Sequence, residues 1–229
     1  MAAVTLTENL PSPLPEGIHG GKFPLIGYYF LLTYSKTAGI LLDWFTGEFC
    51  ASAGLESMER TAAEIPPGSR GVLVMPDFDG SVSPLPNPDT RGAFLNMTLN
   101  TSKESIFRAI LESLGYSLRE QITYLKKNGI KLDSIRSTGG GANSYLWLQI
   151  KSDILNSPVE KPLVTESAVL GAAMIAAAGS GFFKTIKEGS EKLYKPGRTF
   201  YPVPEAHLVY SELYKDYCRI KNKLLQYYE

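Results

Sequence analysis

The 229-residue chain is poor in cysteine and histidine, with two of each. Two thiols, Cys50 and Cys218, do not make a disulfide framework in a chain of this size; the expectation is two free thiols in a cytoplasmic protein. His19 and His207 have no visible partner, so no Ser/His/Asp or Cys/His arrangement for nucleophilic catalysis emerges. Charge of one sign is also lacking. Lys and Arg total 23, as do Asp and Glu, which argues against nucleic-acid binding driven by bulk charge and leaves room for a local anion site. No apolar run approaches the roughly 18 residues of a membrane span; the longest, Phe23–Leu32 and Val169–Ala178, are short and mixed. Met1–Thr5 has no basic segment leading into an apolar one, so no secretory signal is visible. Without one, the sequons at Asn96 and Asn100 read as chance. What the chain does have is 44% hydrophobic and 20% charged residues, enough for a sizeable globular core.

Residues 1–24 are rich in breakers, with Pro11, Pro13, Pro15, Gly17, Gly20, Gly21 and Pro24, and predict an irregular segment, with Val4–Thr7 as a short strand before it. Leu25–Phe49 is an apolar stretch ending in a helix whose inner face is Ala38, Leu41, Leu42 and Phe45, with Gly47 as its stop. A polar stretch follows to Gly68. Val72–Met75 reads as a buried strand, and Asp77–Gly92 as a long loop of the kind that is functional or disordered. Thr101–Lys127 is the clearest helix: Thr101 to Glu104 reads as a capping box, Ile106, Ile110, Leu114, Leu118, Ile122 and Leu125 form one stripe, and Asn128-Gly129 ends it. Ser134–Thr138 predicts a short strand, and a helix follows from Ser144 with Leu146, Ile150 and Ile154 on one face. Val159–Pro162 predicts an edge strand. Glu166–Gly179 is a helix of small residues, Tyr194–Gly197 a break, and Ala206–Tyr228 a last helix with Tyr210, Leu213, Tyr217, Ile220 and Leu224 inward. Short strands alternating with helices point to an α/β layered fold.

The strongest local signal for chemistry is the strand, glycine turn and helix around Gly139-Gly140-Gly141. Glycines let a backbone approach a ligand closely, and free N–H groups together with a helix start favour a phosphate or a flat-packed purine. The turn lacks the Gly-Lys-Ser/Thr of a P-loop, and Ser144 stands where a Gly-x-Gly-x-x-Gly pattern would have its last glycine. On the triplet alone, a ligand site and a bare tight turn are equal readings. Gly39 at the start of its helix is read as a close helix crossing. Asp77 and Asp79 are read as solvated turn residues rather than metal ligands. Arg91 is suited to clamping an anion or to an internal salt bridge. The tyrosines of the last helix read as core.

Four stretches, in order, carry a resemblance to the FGGY family of carbohydrate kinases. Gly39–Phe45 resembles its small-Gly-x-x-x-x-Trp helix. Met75–Pro84 with Asn87–Gly92 resembles its proline loop and Asp-Pro-x-Ala-Arg-Gly segment. Gly139–Gln149 resembles its nucleotide-binding segment, and Glu166–Ala173 the Glu-x-x-Ala-Leu-Gly-Ala-Ala helix beneath it. The resemblance implies an α/β domain of the actin-like ATPase (ribonuclease H-like) fold, a mixed sheet flanked by helices, with residues 25–229 as the nucleotide-binding domain and 1–24 continuing from an upstream domain. It implies ATP and Mg2+ as cofactors and a sugar or polyol substrate, a pentulose such as xylulose or ribulose favoured, held through a first domain that also carries the general base. This chain alone is then expected to be inactive. Carried over by position, the nucleotide contacts are Gly39, Asp43, Gly140, Gly141, Asn143 and Ser144, with no catalytic or metal residue. Asp43 departs from the Gln frequent in glycerol kinases, and Ser81-Val82 from the Glu-Arg of xylulokinases. Neither nucleic acid nor membrane is an expected partner. Self-association into a homo-oligomer through an exposed domain face is compatible with the reading, as is a scaffolding module of this fold that has lost its nucleotide.

Overall fold

The computed structural model describes residues 1–50 and 54–228. The chain opens with β1 (Ala2–Thr7), β2 (His19–Lys22) and β3 (Tyr29–Tyr34). These form an antiparallel sheet in the order β1-β3-β2, with Ala2 opposite Tyr34, Thr7 opposite Tyr29 and His19 opposite Leu32. The stretch expected to be irregular thus supplies two strands, and residue 24 lies in the turn that joins β2 to β3. The glycines that argued against regular structure make β2 possible. A Cβ on Gly21 would meet the Phe30 ring at 3.0 Å, and one on Gly20 would meet Leu10 and Leu31 at 3.0 Å.

Helix α1 (Gly39–Phe49) runs through Gly47 instead of stopping there and buries Leu41, Leu42 and Phe45. Helix α2 (Leu55–Ala62), within the stretch read only as polar, buries Met58 and Ala62. Strands β4 (Leu73–Met75) and β5 (Ala93–Leu95) pair antiparallel across the proline loop. Asp77 is not solvated: it is buried, 3.7 Å from the Lys221 ammonium, which also donates to Glu120 at 2.6 Å. Among the described residues Arg91 pairs with no acid. Its guanidinium donates to the carbonyls of Pro88 and Thr90.

Helix α3 (Lys103–Lys127) is the hub of the domain. Its cap is Ser102, whose hydroxyl accepts from the Ser105 amide. Thr101 is not the cap, because its hydroxyl accepts from the Thr98 amide in the preceding turn. The helix is buried beyond the expected stripe, since Phe107, Leu111 and Tyr116 are also enclosed. Beyond it come β6 (Ile135–Arg136), α4 (Tyr145–Leu155), β7 (Val159–Lys161), α5 (Ser167–Gly179), α6 (Ile186–Leu193), β8 (Arg198–Phe200) and α7 (Pro204–Tyr227). β7 is the middle strand of β6-β7-β8, parallel to β6 and antiparallel to β8, not the edge its length suggested. The main core joins α1, α2, α3, α4, α7 and β4. Smaller clusters around Leu31 and Val159 lie at the two three-stranded sheets. Helix α5 buries none of its residues, and Val169 is 68% exposed.

One polar cluster sits inside the core. Glu112 of α3 accepts hydrogen bonds from the Gly68 amide (3.0 Å), the Ser69 hydroxyl (2.7 Å), Arg108 Nε (2.9 Å) and the Tyr210 hydroxyl (2.9 Å). Burial pushes its carboxyl up, against the pull of Ser69 and Arg108. The cluster ties α3 to α7 and to the 68–71 turn, whose four residues all have positive φ. His207 is likewise satisfied, between the Asp153 carbonyl (2.8 Å) and Ser211 (3.1 Å).

Candidate functional site

Past β6 the strand pairing continues through the Ser137 amide to the Glu160 carbonyl and the Gly139 amide to the Thr165 carbonyl, both at 2.8 Å. Gly139 has φ +72°, and Gly140–Ala142 make one tight helical turn closed by Ala142 to Gly139 and Asn143 to Gly140. Ser144 then caps α4: its Oγ accepts from the Trp147 amide at 3.0 Å and donates to Glu59 Oε1 at 2.6 Å. The same Glu59 oxygen accepts from the Leu146 amide at 3.4 Å. A carboxylate from α2 therefore already lies at the N-terminus of α4, where an anion would otherwise be drawn. The start of this helix, read as suited to a phosphate or a purine or as part of a bare turn, is occupied by the protein's own acid.

The start of α1 is different. Its cap, Ala38, offers no side-chain hydrogen bond, and the first turn holds no acidic residue. The Leu41 amide donates to the Ala38 carbonyl at 3.0 Å, and among the described residues the Gly39 and Ile40 N–H groups before it are left for a ligand or solvent. Gly39 lines a cleft of 320 Å³ together with Gly141, Trp147, Lys151, Ser137 and the edge of β1. Of the residues expected to touch nucleotide, the structure brings Gly39 and Gly141 to this cleft. Asp43 and Asn143 are exposed outside its lining, Gly140 is an exposed part of the turn, and Ser144 is engaged in capping.

The glycines differ in what they permit. A Cβ on Gly39 or Gly140 would meet nothing within 4 Å, whereas on Gly141 it would lie 2.6 Å from Trp147 Cζ3. Gly39 and Gly140 border open space; Gly141 is glycine because an indole packs on it. Gly141→Ala is therefore expected to destabilise the chain by about 1–3 kcal/mol through displacement of Trp147, while Gly140→Val stays within about 0.5 kcal/mol of the parent. Thermal unfolding of the two variants side by side checks this.

Lys151 is a residue of this cleft to which no sequence motif points. It lies one turn after Trp147 on α4, with Nζ 3.8 Å from the centre of the indole ring and 3.2 Å from Ser137 Oγ. Among the described residues no carboxylate pairs with it, and burial lowers its pKa to about 8. Its one signal in the sequence is that of a lone cation between the inward-facing Leu148, Ile150 and Ile154.

Fold and turn together define the class: an α/β domain of the actin-like ATPase fold. The matching solved structures include xylulose kinase from Lactobacillus acidophilus, with a TM-score of 0.86 over 99% of this chain and 46% of that one, at 24% identity. Another is glycerol kinase from Plasmodium falciparum with ADP, with a TM-score of 0.70 over 87% of this chain and 38% of that one, at 24% identity. At that identity the likeness is one of fold. The sequence decides the family. Residues 6–180 match the C-terminal domain of the FGGY family of carbohydrate kinases, and the chain belongs to that family. It is 33% identical to the xylulose kinase of Staphylococcus epidermidis over 189 residues, 82% of this chain and 38% of that protein. It is 34% identical to the glycerol kinase of Alkaliphilus oremlandii over 224 residues, 97% of this chain and 43% of that protein. The chain thus spans less than half the length of these relatives. Among the described residues no helix is long and apolar enough to cross a membrane.

Proposed function

We propose that this chain is the ATP-binding half of a cytoplasmic carbohydrate kinase that transfers the γ-phosphoryl group of ATP to a hydroxyl of a sugar or polyol, a pentulose being favoured. The observation that carries the reading is the pair of unobstructed glycine backbones, Gly39 at the uncapped start of α1 and Gly140 in the turn after β6. Both are on segments that match the family. An uncapped helix start suits phosphate oxygens. A turn without side chains suits the flat face of a purine, with Gly141 and Asn143 beside it, Asp43 one turn along α1, and Ser144 holding α4 in place. ATP supplies the phosphoryl group, and these residues bind and orient it. Phosphoryl transfer is mostly positioning and charge stabilisation, so a half that supplies only backbone donors and a platform does not catalyse by itself. This chain is expected to show no kinase activity until a partner domain brings the sugar, a carboxylate base and water exclusion. No group of three or more His, Cys, Asp or Glu gathers among the described residues. Mg2+ accompanies the nucleotide phosphates, and no residue of this chain is assigned to it.

Calorimetric titration with Mg-ADP tests the reading. Binding to the parent chain and its loss in Gly140→Val, with thermal stability unchanged, is the expected result. A folded parent chain that takes up no Mg-ADP sinks the nucleotide reading and leaves a scaffolding module, for which the occupation of the α4 start by Glu59 already speaks.

A further inference from the structure

The starts of α1 and α4 differ in charge. At α1 no acid stands in the first turn and no side chain caps it. At α4, directly after the turn Gly140–Ala142, Glu59 accepts from the Ser144 hydroxyl at 2.6 Å and the Leu146 amide at 3.4 Å, both on Oε1. Glu59 belongs to α2, which packs against α1. One acid therefore reaches from the helix beside the first start to the second. Its other oxygen, Oε2, accepts no hydrogen bond and pairs with no cation among the described residues. Glu59 is only half-buried, and Oε2 is not one of the enclosed atoms that lack a partner. It is an acceptor held open beside the glycine turn.

An ionised carboxylate can only accept hydrogen bonds, and it repels phosphate. Next to an anionic ligand it is favourable only where the uncharged part of that ligand offers it a donor. The two helix starts thus sort the parts of a nucleotide, the phosphates to α1 and the nucleoside to the glycine turn. We propose that Glu59 is a specificity-determining residue of the nucleotide site, its Oε2 accepting a hydrogen bond from a neutral donor of the nucleoside, either the exocyclic amine of the base or a ribose hydroxyl. This rests on the nucleotide reading and adds to it the residue that selects. A site with an acceptor in place discriminates against a ligand that lacks the donor, because the acceptor is then left without a partner. Ser144 acts through Glu59: its hydroxyl hydrogen is committed to Oε1 and fixes the carboxylate.

Calorimetric titrations of the 229-residue chain compare Mg-ADP with two analogues and are repeated on Glu59→Gln. In Mg-IDP an oxygen replaces the amine of the base; the 2′,3′-dideoxy form of Mg-ADP lacks the ribose hydroxyls. Glutamine keeps the shape of Glu59. The Ser144 and Leu146 donors hold its oxygen in the Oε1 place, which puts its NH2 where Oε2 was and turns an acceptor into a donor. The parent is expected to bind one of the analogues at least ~10-fold more weakly than Mg-ADP. In Glu59→Gln that ratio falls to within ~3-fold, with Mg-ADP itself bound more weakly and the unfolding temperature unchanged. Discrimination against Mg-IDP assigns the donor to the base, and against the dideoxy form to the ribose. A parent that binds all three alike overturns the assignment without recourse to any variant, as does a ratio that persists in Glu59→Gln. In both of those outcomes Mg-ADP still binds, which separates them from failure of the nucleotide reading itself. A folded parent chain that takes up none of the three overturns both.

Discussion

Glu112→Ala is expected to lower the stability of the chain by about 3–5 kcal/mol, the cost of removing one partner from a buried charge pair. The substitution deletes the acceptor for four donors at once: the Gly68 amide, the Ser69 hydroxyl, Arg108 Nε and the Tyr210 hydroxyl. The Arg108 guanidinium then keeps only the Ala62 carbonyl at 3.3 Å and the Tyr210 oxygen at 3.0 Å as acceptors. The 68–71 turn also loses its anchor to α3, and its left-handed residues, two of them Ser69 and Arg70, are left to the turn's own backbone bonds and the Asn96 amide on the Gly71 carbonyl. Glu112→Gln keeps the shape and one acceptor oxygen, so its loss is expected to be smaller. Equilibrium denaturation gives both values. A Glu112→Ala chain as stable as the parent would mean that the cluster is solvated in solution and that Glu112 is not the joint between α3 and α7.

Lys151→Met is expected to act in the opposite direction and raise stability at pH 7 by about 3 kcal/mol. Burial lowers the ammonium from an ordinary 10.5 to about 8, and each tenfold loss of proton affinity corresponds to about 1.4 kcal/mol. The unfolded chain binds this proton more tightly than the folded one, so stability rises with pH between those two values. Below about pH 8 the folded chain carries the full penalty; by pH 10.5 the penalty is gone. The advantage of Lys151→Met over the parent should therefore be largest at pH 7 and fade across pH 8–10.5. The difference between the two chains is what to measure, because tyrosines and thiols that titrate in the same range cancel in it. A pH-independent difference would show that packing, not charge, separates them.

Both effects come from residues whose importance depends on distant partners. In sequence Glu112 is one more polar position on α3, and Lys151 one on α4. The partners of Glu112 lie near residue 68 and at residue 210. The environment of Lys151 is made by Ser137, Trp147 and the chain's first residues. The same holds for Ser144, where the sequence places the start of a helix, while the carboxylate that accepts its hydroxyl hydrogen bond comes from Glu59, in a helix that the polar stretch did not announce.

Local order was legible wherever a single segment carries its own reasons. α3 follows from its apolar stripe and terminal Asn128-Gly129, α4 from Ser144 and the inward Ile150 and Ile154, and α7 from Tyr210 and Tyr217. The glycine turn followed from three consecutive residues without side chains. Four ordered motifs carried the family, because the spacing of glycine, proline and tryptophan positions survives in the sequence without reference to three-dimensional neighbours. Strands β2 and β8, the central position of β7, the burial of Asp77 and the closing of the α4 start by Glu59 belong to tertiary structure alone. A short strand has no internal hydrogen bonds and exists only through its neighbour: β2, a His-Gly-Gly-Lys segment, is a strand because β3 offers an edge and Phe30 and Leu31 leave room only for hydrogen. Burial and charge are likewise properties of what lies opposite a residue, and no pattern along the chain records that Lys221 comes to face Asp77.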